Sequence, residues 1–146
     1  MSGGLNIRLS PREKIFINGA ILENGHRRTY IRIKSDDAKV LKMRDALTAS
    51  EATTPLKRIY FKLQQIVAGE KDGSSDIPHI LDELNELHDA VQIVECKENI
   101  ELAIGYIEAS EHYKAMKTLK LVFPLESAIP LGLYEDHSRL LRQKAK

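Results

Sequence analysis

The sequence predicts an α+β fold: a small N-terminal antiparallel β-sheet or open barrel, followed by a C-terminal helical bundle of about four helices. Three observations predict it. Apolar and polar residues alternate with period two through much of residues 5 to 44, whereas from residue 55 to 122 the apolar residues recur every three or four positions. Between these stretches the charge changes sign: residues 1 to 62 carry 13 Lys/Arg against 6 Asp/Glu, residues 63 to 121 carry 5 against 12, and residues 122 to 146 carry 4 against 3. The formal net charge of +1 therefore conceals a basic first part and an acidic second part.

The strands come first. Leu5, Ile7 and Leu9 alternate with Asn6 and Arg8, Ile15 and Ile17 flank Phe16, and Thr29, Ile31 and Ile33 alternate with Tyr30 and Arg32. Ser10-Pro11, Asn18-Gly19 and Asn24-Gly25 punctuate them, and an Asn-Gly pair supplies the positive φ angles of a tight hairpin. Lys39 to Met43 reads as one further strand.

The helices follow. Thr54 offers a side-chain oxygen to the open amides of a helix start, Pro55 suits the first helical position and Gly69 the end, which predicts a helix from about 55 to 68. Its apolar face is Leu56, Ile59, Tyr60, Leu63, Ile66 and Val67, with Lys57, Arg58, Lys62 and Gln65 away from it. Gly69 to Ser75 reads as a polar connection. A second helix is marked by Ile77, Ile80, Leu81, Leu84, Leu87 and Val91, with Asp82, Glu83, Glu86 and Asp89 on the other side. Ile100, Ala103, Ile104 and Ile107 mark a third, and Tyr113, Met116, Leu119 and Val122 a fourth that Pro124 stops. From Pro130 onward, Leu133, Tyr134, Leu140 and Leu141 suit a short last helix or a mobile end. The expected organisation is a basic β part over 1–50, a helical part over 51–126 packed on it, and a tail over 127–146.

Several function classes are set aside. No apolar run approaches the roughly 20 residues that span a bilayer, and Met1-Ser2-Gly3-Gly4 lacks a signal-peptide pattern, so no membrane partner and a cytoplasmic location are expected. Cys96 stands alone, which leaves neither an internal disulfide nor a cysteine-rich zinc site and reads as a small packed thiol. His79 and Glu83 have the spacing of two ligands on one helical face, but one pair does not hold a metal. No Gly-rich phosphate loop joins a strand to a helix. No enzyme, catalytic residue, metal or cofactor is expected.

The chemistry that does stand out is the outer face of the strands. With the Ile and Leu residues turned inward, the other face collects Asn6, Arg8, Lys14, Phe16, Arg28, Tyr30, Arg32 and Lys34. Guanidinium and ammonium groups neutralise phosphates, and an exposed ring stacks on an unpaired base, so single-stranded RNA meets both demands. Arg58 and Lys62, four residues apart on the first helix, extend the positive surface if that helix lies beside the sheet. Alternatively, Phe16 and Tyr30 pack under a loop or at a subunit contact and the cations are a solvated face.

The chain resembles the FlbT family of flagellar regulators. The likeness is carried by Leu5-Asn6-Ile7-Arg8-Leu9, by Glu13-Lys14-Ile15-Phe16-Ile17-Asn18-Gly19-Ala20 followed by Glu23-Asn24-Gly25, by Thr54-Pro55 with Arg58-Ile59-Tyr60-Phe61 and Gln64, and by Tyr113-Lys114-Ala115 with Leu119 before Pro124-Leu125-Glu126. The resemblance implies a post-transcriptional regulator of flagellin synthesis that associates with the untranslated leader of flagellin messenger RNA and promotes its decay or blocks its translation. Some members favour flagellin production, so the direction of control does not transfer. The segment after Ile129 shows no family pattern. The first 44 residues also look similar to the CsrA family of messenger-RNA-binding proteins, which implies strands completed by a partner chain and hence a homo-oligomer. The competing expectation is an adaptor that grips flagellin or another flagellar regulator through residues 76 to 122, where surplus apolar positions would form a groove for a partner helix.

Overall fold

The computed structural model describes residues 4–128, and the short helix expected from Pro130 onward lies outside them. Five strands precede four α-helices: β1 Leu5–Leu9, β2 Lys14–Ile17, β3 Ala20–Glu23, β4 Thr29–Ile33, β5 Val40–Lys42, α1 Pro55–Val67, α2 Asp76–Ala90, α3 Val94–Glu108 and α4 His112–Lys120. Short 3-10 turns occupy Met43–Asp45, Ala49–Glu51 and Phe123–Ala128. The α+β class holds, with antiparallel pairing throughout.

The described strands form two antiparallel sheets and no closed barrel. β1 pairs with β4, setting Asn6 opposite Arg32 and Arg8 opposite Tyr30. β2 lies between β3 and β5 in the other. Asn18 and Gly19, at φ 48° and 89°, make the two-residue turn of the β2–β3 hairpin, as the sequence predicts. The second Asn-Gly pair behaves differently: neither Asn24 nor Gly25 takes a positive φ. Asn24 instead commits its side chain to main-chain oxygens, donating from Nδ2 to Ser10 and Arg27, each at 2.8 Å, and to Leu9 at 3.4 Å.

Two compact units emerge within the described residues. One runs through Ala46 and includes Gln65–Asp72; the other holds Leu47–Gln64 and the chain from Gly73 onward. In the first, Ile7, Leu9, Ile15 and Val40 are buried together, with Ile17, Ile31, Ile33 and Ala38 partly buried against them. Both ladders thus turn their apolar faces to one cluster, and each buried Ile or Leu contributes about 1.5–3 kcal/mol. A polar tie joins the ladders: Lys42 Nζ donates to the carbonyl oxygen of Arg8 at 2.7 Å. The buried Glu13 carboxylate accepts from Ser10 N at 2.9 Å through Oε1, while its Oε2 lies 3.3 Å from Arg44 Nε and 4.0 Å from Lys42 Nζ. That Oε2 is held by charge, outside hydrogen-bonding geometry.

α1 carries the ends its sequence predicts. Lys57 N donates to Thr54 Oγ1 at 3.1 Å, and beyond the helix Gly69, at φ 82°, lets Gly69 N reach Ile66 O at 3.1 Å and Glu70 N reach Gln65 O at 2.8 Å. In the second unit Leu56, Ile59, Tyr60 and Leu63 are buried, and the Tyr60 ring meets Phe123 edge-on at 5.0 Å. α3 packs against α2 and α4, burying Cys96, Ile100, Ala103 and Ile107. α4 ends at Lys120, earlier than Pro124 requires, because Leu121 N and Val122 N turn back to Thr118 O and Leu119 O in the tighter 3-10 pattern.

Candidate nucleic-acid interface

The β1–β4 ladder builds its outer face by simple alternation. Ile7 and Leu9 are buried and Ile31 and Ile33 partly so, which leaves Asn6, Arg8, Tyr30 and Arg32 on the opposite, exposed side. Side chains directly across an antiparallel pair stand about 5 Å apart at Cβ, so Arg8 stands beside Tyr30 and Asn6 beside Arg32. Tyr30 is 69% exposed. A ring this open, with one guanidinium across the ladder and another two residues along its own strand, offers stacking and phosphate neutralisation within a few ångströms. Arg28 and Lys34 are exposed at either end of β4.

The other expected residues fall elsewhere. Lys14 and Phe16 belong to β2, pointing away from the shared apolar cluster on the second ladder. Phe16 is only half exposed and stands in register with Ile21 and the buried Leu41, an apolar setting. Lys14 lies opposite Glu23 in the register, and the Glu23 carboxylate reaches Arg12 Nη1 at 3.7 Å. Identical alternation in β1, β2 and β4 hides this division, since ladder membership depends on which turns bring which strands together.

Arg58 and Lys62 lie on the part of α1 that belongs to the second unit. Lys62 Nζ donates to Glu83 Oε1 at 2.8 Å, so its ammonium is ion-paired to a carboxylate of α2. Arg58 is exposed and donates from Nη1 to Thr53 O at 3.3 Å.

Two cations escape the sequence pattern. Arg12 N donates to Gly25 O at 2.9 Å, Asn24 N to Glu13 O at 2.8 Å, and Thr29 Oγ1 to Arg27 O at 3.1 Å, binding the Ser10–Glu13 turn to the loop that leads into β4. Arg12 and Arg27 are thereby held, exposed, at the same end as Arg28. The adjacent Arg27-Arg28 pair following Asn24-Gly25 was the available signal; Arg12 had none, because only the fold brings its turn there. Arg12 also adopts φ 64°, a left-handed conformation that costs a non-glycine residue about 1–2 kcal/mol.

The family model described as Flagellar protein FlbT matches residues 5–129 of this chain. The chain belongs to the FlbT family. It is similar to the probable flagellum biosynthesis repressor protein FlbT of Rhodopseudomonas palustris (strain TIE-1), at 33% identity over 129 residues, covering 86% of this chain and 96% of that one. The protein of the same name from Caulobacter sp. (strain K31) is 31% identical over 112 residues, covering 77% of this chain and 85% of that one. The flagellum biosynthesis repressor protein FlbT of Caulobacter vibrioides (strain ATCC 19089 / CIP 103742 / CB 15) is 29% identical over 112 residues, covering 77% and 79%. No solved structure matches. The FlbT match takes in both ladders and all four helices, and among the described residues no helix is long and apolar enough to cross a membrane.

Proposed function

We propose that this FlbT protein is a cytoplasmic repressor of flagellar synthesis that binds the leader of flagellin messenger RNA through the outer face of its β1–β4 ladder. One observation carries the reading: Tyr30, 69% exposed, lies across from Arg8 and two residues from Arg32 on a surface with no carboxylate in either strand. Stacking holds an unpaired base whatever its identity, and the guanidiniums hold the flanking phosphates. Arg28 and Lys34 lengthen the phosphate track at the ends of β4. Lys14 and Phe16, on the other ladder, are secondary contacts, and Arg58 and Lys62, in the second unit, meet RNA only where it displaces Thr53 and Glu83 from them.

Bound near the ribosome entry site, the protein blocks initiation and leaves the message to cellular nucleases, a role that needs no catalytic residue. The repressor role is supported by the names of its relatives. The test is a gel shift of purified protein on the flagellin leader against a scrambled RNA of equal length at two salt concentrations. Preference for the leader that weakens with salt is expected; equal retention of both RNAs would remove the message from the reading.

A further inference from the structure

α3 is apolar on two sides. Cys96, Ile100, Ala103 and Ile107 face inward and are buried. Away from that stripe, Leu102 is 55% exposed, and with Gly105, Tyr106 and Ala109 it floors a shallow open depression rimmed by Glu98, Glu101 and Glu111. Val94, also exposed, continues the apolar line one turn beyond Glu98. A Cβ placed on Gly105 would meet no atom within 4 Å, so an approaching chain can come down onto the helix backbone there. A helix that shows apolar residues on both faces has a second surface to cover.

The rim decides what covers it. From Val91 to Glu111 there are five glutamates and one cation, Lys97, whose ammonium is occupied by the His88 carbonyl. Glu101 meets the His88 ring at 2.8 Å, and Glu111 pairs with Lys114 at 3.3 Å; exposed pairs of this kind exchange partners at little cost. Nucleic acid is repelled by such a rim, and a second copy of the same face would set glutamates against glutamates. We propose that this face of α3 docks a basic amphipathic helix of a partner protein, its apolar residues lying on Leu102 and Tyr106 over Gly105 and Ala109, its Lys and Arg side chains reaching Glu98, Glu101 and Glu111. None of these residues belongs to the β1–β4 face, and the inference stands whether or not that face binds RNA.

The probe is a fluorescent helical peptide of about 18 residues, long enough for five turns, built only from leucine and lysine at amphipathic spacing, with a scrambled peptide of equal charge as control. Titrated with the full chain, the amphipathic peptide should bind at least tenfold more tightly than the scrambled one. Leu102→Asp and Gly105→Leu, the second filling the depression, should each lose tenfold or more while circular dichroism and melting stay unchanged. Leu102→Gln, milder at so exposed a site, keeps the test valid where Leu102→Asp fails to fold. Equal binding of both peptides, or titrations indifferent to residues 102 and 105, would overturn the proposal. So would sedimentation showing that the free chain self-associates and that Leu102→Gln makes it monomeric, which would assign the face to a second copy.

Discussion

The side-chain amide of Asn24 donates to the main-chain oxygen of Arg27 at 2.8 Å and, from the same nitrogen, to Ser10 at 2.8 Å. One side chain thus fastens the end of β1 to the loop that delivers Arg28 to β4. Asn24→Ala should destabilise the protein by about 0.5–1.5 kcal/mol, the net worth of a hydrogen bond, because Glu13 N and Thr29 Oγ1 still donate to the Ser10 and Arg27 carbonyls. Asn24→Asp should do likewise, since a carboxylate cannot donate. Urea denaturation checks both; an unchanged midpoint would show that water replaces the amide.

Tyr30 separates stacking from folding. Because its ring is mostly in solvent, Tyr30→Ala should change stability by no more than about 0.5 kcal/mol. Leader-RNA affinity should fall roughly tenfold or more, as removing a ring from beneath a base costs about 1–3 kcal/mol. Tyr30→Phe should retain most of the affinity. Combined Arg28→Ala, Arg32→Ala and Lys34→Ala should weaken binding and flatten its salt dependence, by about 0.7 in log–log slope for each phosphate no longer neutralised.

Glu13 balances two cations in an enclosed setting, its side chain 8% exposed and that of Lys42 11% exposed. Glu13→Gln removes one negative charge from this enclosed setting and should cost about 1–3 kcal/mol, below the scale of a fully buried pair because Arg44 is largely exposed. Replacing Glu13 and Lys42 together with apolar residues should cost less than Glu13→Gln alone. Thermal unfolding of these variants beside the parent protein reads the difference.

Relief of backbone strain is expected at Arg12. Glycine adopts φ 64° without steric cost, so Arg12→Gly should raise stability by up to about 1 kcal/mol once its greater freedom in the unfolded chain is set against the gain. The exposed ion pair with Glu23 at 3.7 Å contributes too little to reverse the sign. A lower melting temperature would show that the side chain holds the turn.

Burial pushes the Cys96 thiol above its ordinary value of 9.0, and the nearby Glu95 and Glu126 carboxylates push in the same direction. An acid whose folded-state pKa is raised contributes stability below its unfolded value and loses it as pH climbs past that value, because the unfolded chain sheds the proton first. Denaturation midpoints should therefore fall above about pH 9, and fall less in Cys96→Ala. Thiol reagents should label the native protein only as fast as it opens.

What the sequence reveals here depends on how far apart the cooperating residues lie. Thr54, Pro55 and Gly69 act on amides within one helical turn, so the ends of α1 are legible to within a residue. β3 is not, because Ala20, Ile21, Leu22 and Glu23 are all exposed on an edge strand and carry no alternation to detect. The separation into two ladders rests on β1 meeting β4 across the whole β2–β3 hairpin, and no local pattern encodes that. The exposed set around Tyr30 follows from alternation alone. Lys42 does not: it looks like any solvated lysine until a neighbouring ladder supplies the carbonyl that buries it.

That carbonyl belongs to Arg8, and the distinction between its main chain and its side chain has an evolutionary consequence. Lys42 grips only the peptide group, which every residue possesses. Selection can therefore exchange the side chain at position 8 to suit a different ligand while the scaffold beneath stays fastened, so divergence in what the surface recognises need not entail loss of the fold.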